Sequence, residues 1–453
     1  DWLDNLPHLH DLVEFDIAQT CLDFTFDENF STRYEDALSA DEYSTFRKAV
    51  AELTRKNVTM DEKGSLACAL QKITSLESQQ RQVKFDWHSI TGTLDILTNV
   101  RSLLDDCGRH GTLPFSGIAR HAFMAESLLR SAIARGALSA SRVKDFKQGV
   151  RTVTSELTAD LAGVGAGRLS EIEFMERYGH LRPGTYDIMS LRYADRKDLF
   201  DQSLIPDRHE RATDFELTAS ERSAISKLLK EAGLQDLGVD DLFQYAHHAI
   251  VGREHAKFVF TRHLSDALEG LAEWGQRLGF SRDDLSYLDL DDILNLLTHP
   301  VMGSLEEHLQ NRISEGRRRV ELAGALRMSF LIRSPEDVYV VPLYRSAPNF
   351  VGTGRIEGSV VALSATTSGE VDLKNRIICI ENADPGFDWI FTKGILGLIT
   401  KYGGVNSHMA IRCAEFGLPA AIGCGDQIFE RLISAGNVEL NCGNKILRPI
   451  YVD

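Results

Sequence analysis

The chain is short of most features that would mark a membrane, secreted or nucleic-acid-binding protein. Among its 453 residues no apolar run approaches the roughly 20 that a membrane span needs, and no signal peptide opens it. Positive charge is in deficit, with 50 Lys and Arg against 66 Asp and Glu and a net of -16. This argues against nucleic acid and against an anionic membrane surface as partners, while a local basic pocket for phosphate is still allowed. Cysteine is sparse and scattered. Cys21, Cys68, Cys107, Cys379, Cys413, Cys424 and Cys442 include no close pair at zinc spacing and form no dense disulfide framework. A reducing cytoplasm is the simplest location. His8, His10, His247 and His248 lack the i, i+4 spacing of familiar zinc motifs, so solvated or capping roles are expected and no metal ligands are assigned.

What the chain does have is size and a change of rhythm. With 43% hydrophobic residues it can bury more than one core, so two or three domains are expected. Helical spacing of apolar residues runs over roughly 32–56, 62–106, 114–136, 139–162, 219–233, 240–278 and 303–328. After residue 330 the pattern shortens to apolar runs at 338–343, 359–363, 376–380, 395–399, 420–422, 438–440 and 446–450, separated by Gly, Asn and Asp. The fold class predicted is α plus α/β: a large mainly helical domain over 1–333, then a small domain of strands and a few helices over 334–453. One departure is 12–26, where Val13, Phe15 and Ile17 alternate as in a strand. The sequence opens on Asp1-Trp2-Leu3 without an initiator methionine, so a fragment or processed form is expected.

The most pointed stretch of the second domain is Gly403-Gly404-Val405-Asn406-Ser407-His408-Met409-Ala410-Ile411, running on to Glu415-Phe416-Gly417-Leu418-Pro419-Ala420. An apolar strand precedes it, the glycine pair makes a tight turn, Ser407 is a plausible N-cap, and helical spacing continues until Gly417 and Pro419. His408 therefore falls in the first helical turn. Free backbone N–H groups and the positive end of the helix dipole favour an anion there, by about 0.3–1 kcal/mol. A neutral imidazole is also a competent nucleophile. Arg412 and Glu415 follow on the same face, either as a phosphate contact and its neighbour or as a solvated ion pair. Upstream, Asp384 is placed to cap a helix starting near Gly386.

The string Gly-Gly-x-x-Ser-His-x-Ala-Ile-x-x-Ala-Glu-x-Gly-x-Pro-Ala-x-x-Gly resembles the signature of the phosphohistidine domain in the phosphoenolpyruvate-utilising enzymes. That family includes phosphoenolpyruvate synthase, pyruvate phosphate dikinase, rifampicin phosphotransferase and enzyme I of the sugar phosphotransferase system. The resemblance implies a small swivelling β/β/α domain in which His408 carries the phosphoryl group, with Ser407, Gly404 and Arg412 supporting it. Where many relatives have a Thr-containing turn, this chain has Ala383 and Asp384, so no hydroxyl role is carried over.

In the helical domain, Arg177-Tyr178-Gly179-His180-Leu181-Arg182-Pro183-Gly184-Thr185-Tyr186-Asp187-Ile188 crowds donors, acceptors and a cation into a loop fixed by two Gly and one Pro. Such a loop can hold an acceptor and clamp a phosphate, or Arg182 and Asp187 can simply pair while the aromatics pack. The run is similar to the Tyr-Gly-His-Arg-x-Pro-Gly-Glu run of rifampicin-phosphotransferase-like proteins, and more so to the Tyr-Gly-His-Leu-Arg-Pro-Gly-Thr-Tyr-Asp run of synthase-like proteins. On that footing His180, Arg182, Tyr186 and Asp187 are candidate acceptor-binding residues. Arg120, in the segment 111–120 that joins two helices through a turn, and Arg253 are secondary candidates for phosphate or carboxylate contacts. Glu254 is a candidate base, or an intrahelical partner of Lys257.

Relatives load the histidine on an ATP-grasp domain that supplies the magnesium and ATP contacts. Residues 1–330 contain no glycine-rich phosphate loop or acidic magnesium cluster, so Mg2+ and ATP are expected on a nucleotide-binding domain outside this chain, upstream in the same polypeptide or separate. No pyruvate barrel follows Pro419 in this sequence. The function implied is an ATP-dependent dikinase-type phosphotransferase, passing phosphate from ATP through His408 to a small-molecule hydroxyl. The alternatives are a phosphoenolpyruvate synthase acting on pyruvate and a non-catalytic phosphocarrier protein.

Overall fold

The computed structural model describes residues 21–29, 37–82, 85–150, 152–196, 199–200, 215–299, 301–326, 334–339, 347–364, 367, 371–383, 385–404 and 407–450. Residues 21–326 are built from helices α1 (Ala40–Val58), α2 (Ser65–Gln82), α3 (Thr93–Asp106), α4 (Leu113–Ala134), α5 (Ala140–Gly149), α6 (Val153–Gly165), α7 (Glu171–Tyr178), α8 (Ala219–Glu231), α9 (Val239–Arg277) and α10 (Leu305–Ala325). Capping explains several starts. Ser39 with Glu42, Ser170 with Glu173 and Thr218 with Glu221 each close a reciprocal capping box at α1, α7 and α8. The 39-residue α9 is the pillar of this region, with α2, α3 and α4 packed along it. Its buried side chains fall on the faces that these helices cover, including Tyr245, Phe260 and Trp274.

Several expected helices divide or join differently. The run at 62–106 breaks into α2 and α3 around the buried Trp87, and 139–162 breaks at Val150, whose extended backbone ends α5 before Thr152 caps α6. The turn expected within 111–120 is instead continuous helix, passing from α3 to α4 through a π-helical segment, Cys107–Thr112. Pro114 follows this segment and lacks an N–H, and the wider turn accommodates its ring and its missing donor. The strand expected at 12–26 is not formed in its described part. There the Asp23 carboxylate accepts from the backbone and hydroxyl of Thr25, which closes a turn, and residues 12–20 lie outside the described residues. Residues 335–339 form a 3-10 turn where a strand at 338–343 was expected, and 340–343 lie outside the description.

From residue 349 the chain forms one seven-stranded sheet: β1 (Asn349–Val351), β2 (Arg355–Leu363), β3 (Ile377–Ile380), β4 (Gly397–Thr400), β5 (Ala420–Ile422), β6 (Asn437–Asn441) and β7 (Ile446–Pro449). Its order is β1-β5-β4-β3-β2-β6-β7. The central strands β2, β3, β4 and β5 run parallel, and β1, β6 and β7 add antiparallel edges. β3, β4 and β5 are buried throughout, which accounts for the short apolar runs seen in the sequence, and their parallel pairing is a finding of the structure. Helices α11 (His408–Glu415) and α12 (Asp426–Ala435) follow β4 and β5. The chain is thus mainly helical with a C-terminal β-sheet region.

The two regions share an apolar core. Leu157, Leu161, Phe174 and Tyr178 of the helical part pack in one cluster with Ile380, Phe387, Ile390 and Met409 of the sheet part. Each large side chain withdrawn from water contributes about 1.5–3 kcal/mol, so this contact is a seated interface.

Candidate functional site

Two neighbouring parallel strands deliver the site. β3 ends at Ile380 beside Thr400, the end of β4, so the connections leaving both strands emerge on one edge of the sheet. In parallel sheets that edge is where ligands are met. After β4, Gly403 turns the chain with φ +117, a backbone state that a side chain resists, and a Cβ there would also fall 2.9 Å from Ala383. Ser407 then caps α11, its hydroxyl accepting from the Ala410 N–H at 3.4 Å, and His408 is the first helical residue. Gly404 is buried in the turn, and its carbonyl accepts from the Ser407 N–H.

After β3, the chain winds through a 3-10 segment, Pro385–Lys393, which brings Asp388 against the imidazole. His408 Nε2 lies 2.7 Å from Asp388 Oδ1, with 14% and 4% of the two side chains exposed. The other carboxylate oxygen, Oδ2, is buried and has no hydrogen-bond partner among the described residues. Arg412 Nε, 3.7 Å from Asp388 Oδ1, likewise lacks a hydrogen bond. Arg412 donates to Glu415 Oε2 at 2.6 Å and to the hydroxyl of Thr158 on α6, and it stacks 4.6 Å over Phe416. The Arg412 and Glu415 pair therefore exists, but the arginine is buried between the two regions instead of solvated. Asp384, expected as a cap, lies outside the described residues.

The loop after α7 faces this corner. Gly386 sits so close to it that a Cβ would fall 2.2 Å from the Arg182 carbonyl, and the Tyr193 hydroxyl donates to the Gly386 carbonyl at 3.1 Å. Between loop, corner and α9 lies a cavity of about 60 Å³, with His180, Arg182, Thr185, Glu254, Lys257 and Asp388 on its polar side. Val153, Leu157, Leu181 and Phe258 make its apolar wall. The room suits a few waters or the reacting end of a small molecule.

His180 is buried, bonded through Nε2 to the Phe258 carbonyl at 3.1 Å, and its Nδ1 has no partner among the described residues. Burial, with Arg262 nearby, holds it neutral by pushing its pKa well down. Arg182 is committed to the scaffold. Its Nη atoms reach the Ser190 carbonyl, Ser265 Oγ at 2.8 Å and Glu269 Oε1 at 3.1 Å, and only a long 3.5 Å contact goes to the Asp187 carbonyl. The expected pairing with the Asp187 carboxylate is thus replaced by one with Glu269, because Asp187 turns back to accept from its own Met189 N–H. Tyr186 is exposed. Arg120 on α4 and Arg253 on α9 are exposed and do not line the cavity, Arg253 lying 5.7 Å over Phe123. The roughly 100° step between consecutive helical residues explains why Glu254 faces the cavity and Arg253 does not.

Sequence reasoning missed Asp388, Lys257 and Thr185 as cavity residues. Lys257 could have been found three residues after Glu254 on one helix face. Asp388 had no spacing signal, because only the pairing of β3 with β4 brings it to His408. Neither Glu254 nor Lys257 forms an ion pair among the described residues. Among the described residues, no three His, Cys, Asp or Glu side chains converge as a metal site requires, and no helix is long and apolar enough to cross a membrane.

Residues 372–444 match the family model described as the PEP-utilising enzyme, mobile domain. No curated protein matches the chain. The match covers the strand β3, the Asp388 segment, the histidine corner and the strands that frame it. Over these residues the chain is similar to the mobile domain of the PEP-utilising enzymes.

Proposed function

We propose that the protein is a phosphotransferase of the dikinase type, in which His408 takes a phosphoryl group from the β-position of ATP and passes it to a hydroxyl of a small molecule held in the cavity. The observation that carries this reading is the seating of the histidine corner on the loop at 178–187, with Asp388 belonging to both the imidazole contact and the cavity wall. That arrangement supports an unloading position in which Asp388 stands between His408 and the cavity. The loading step belongs to a nucleotide-binding domain, in the same polypeptide or another, that the mobile domain would visit after leaving this interface.

Transfer needs a positioned nucleophile, positive charge near the phosphoryl oxygens and a base for the hydroxyl proton. Among the described residues Lys257 forms no ion pair and lines the cavity, which suits it to meet the phosphoryl oxygens, whereas Arg182 holds the loop in shape. Glu254 and Asp388 are the carboxylates within the cavity, and His180, neutral by burial, can take part through Nδ1 as a hydrogen-bonding group for the acceptor. The apolar wall made by Leu157, Leu181 and Phe258 excludes water, which would otherwise compete as acceptor.

With the nucleotide-binding domain supplied, β-labelled ATP is expected to place label on the wild-type chain and release AMP, and His408→Ala is expected to abolish both. Label retained in the variant would overturn the reading. Adding pyruvate or extracts of other alcohols to the labelled protein, and identifying the labelled product by mass spectrometry, names the acceptor.

A further inference from the structure

Resting on the phosphohistidine reading above, we propose that Asp388 is the proton-handling residue of the carrier, a base that is built into the mobile domain and travels with His408. Three observations point to it. Its Oδ1 is 2.7 Å from His408 Nε2, so a proton can be shared along that line. Its Oδ2 is buried without a hydrogen-bond partner among the described residues, so one carboxylate oxygen is left to accept a proton. Finally, Asp388 lies on the wall of the cavity, where an acceptor hydroxyl would stand.

In the transfer step the acceptor oxygen forms its bond to phosphorus as the bond between phosphorus and the imidazole nitrogen breaks. The electron pair of that bond returns to the ring nitrogen. The hydroxyl proton passes to the Asp388 carboxylate, which then holds it against the imidazole in the contact seen here. Glu254, the other carboxylate in the cavity, touches no ring nitrogen of His408 and stays with α9 of the helical part. Asp388, by contrast, is attached to β3 and moves wherever His408 moves. One base can therefore serve every site that the carrier visits, and each site need supply only position and charge.

The charged and titratable groups that face Asp388 on its own domain are His408, Arg412 and Cys413, with Glu415 on Arg412. Across the cavity they are His180, Arg182, Glu254 and Lys257.

The test loads the whole chain with potassium phosphoramidate, which phosphorylates imidazole directly with loss of ammonia, and follows loss of the phosphohistidine to water by phosphorus NMR. Asp388→Asn keeps the shape and removes the base. Expected is a loss at least about ten-fold slower than in the wild type, with the dependence on pH flattened, and an altered titration of the His408 ring nitrogens. Equal rates and equal pH profiles in Asp388→Asn and wild type would overturn the proposal. If His408→Ala is loaded as fully as the wild type, the phosphohistidine reading itself fails. Should Asp388→Asn unfold, Asp388→Glu provides the second arm: it retains a carboxylate, and pH dependence kept in it supports the role, while pH dependence lost despite a native fold counts against it.

Discussion

Arg182 and Arg412 are both buried arginines at the same interface, yet they are built for different ends. The Nη atoms of Arg182 bond to Ser190, Ser265 and Glu269, all within the helical region, and lock the loop at 178–187 onto α9, while its Nε, like that of Arg412, has no hydrogen-bond partner among the described residues. Arg412 bridges outward to Thr158 and stands beside Asp388 with its Nε unbonded. The first lies within the helical region and the second joins it to the sheet region. The carrier role proposed above calls for this division, since the groups that shape the cavity must stay in place when the histidine leaves.

The comparison can be broken experimentally. The largest effect on stability is expected from Arg182→Ala, which removes a side chain only 2% exposed together with its bonds to the buried Ser190 and Ser265, while Glu269 keeps Arg282 as a partner. Each buried group left without its partner costs about 1–3 kcal/mol, measurable by denaturant unfolding. Arg412→Ala should cost less, because its loss is confined to a contact between regions, and an equal cost would erase the distinction.

A smaller effect is expected from Gly386→Val, since even a Cβ would collide with the Arg182 carbonyl. Overpacking of this kind costs about 1–3 kcal/mol, and separation of the regions relieves it. Small-angle scattering should then report a larger radius of gyration with loading of His408 intact. An unchanged radius would mean that the contact yields locally.

The smallest effect concerns Asp266 on α9, within reach of Arg262, Arg192, Arg182 and Glu269. Burial pushes its pKa from 3.8 up to about 6. The folded chain therefore binds this proton more tightly than the unfolded chain, so stability increases as pH falls from above 6 and declines again as pH rises through it. Asp266→Asn should flatten that slope by an amount on the order of 1–2 kcal/mol, read from unfolding midpoints across the acidic range.

Local rules made much of this legible in advance. The histidine corner could be read because a strand, a glycine turn, a serine cap and an amphipathic helix follow one another without interruption. The buried strands could be read, though not their parallel pairing, because covered strands are apolar on both faces. The acceptor loop could be located by its composition, but its residues could not be assigned roles. Arg182 looked like a phosphate clamp, and is instead held by Ser265 and Glu269 from a helix 83 and 87 residues away in sequence. Arg253 and Glu254 were equally eligible until the face of α9 that meets the cavity was known.

The sequence by itself determined which imidazole stands at a helix mouth and which family signature surrounds it, because capping and periodicity act within a few residues. Only the tertiary structure decided that Asp388 is that imidazole's partner and that Gly386 seats the corner on the acceptor loop. Those contacts depend on parallel strand pairing and on helix packing, which join distant segments and leave no regular spacing along the chain.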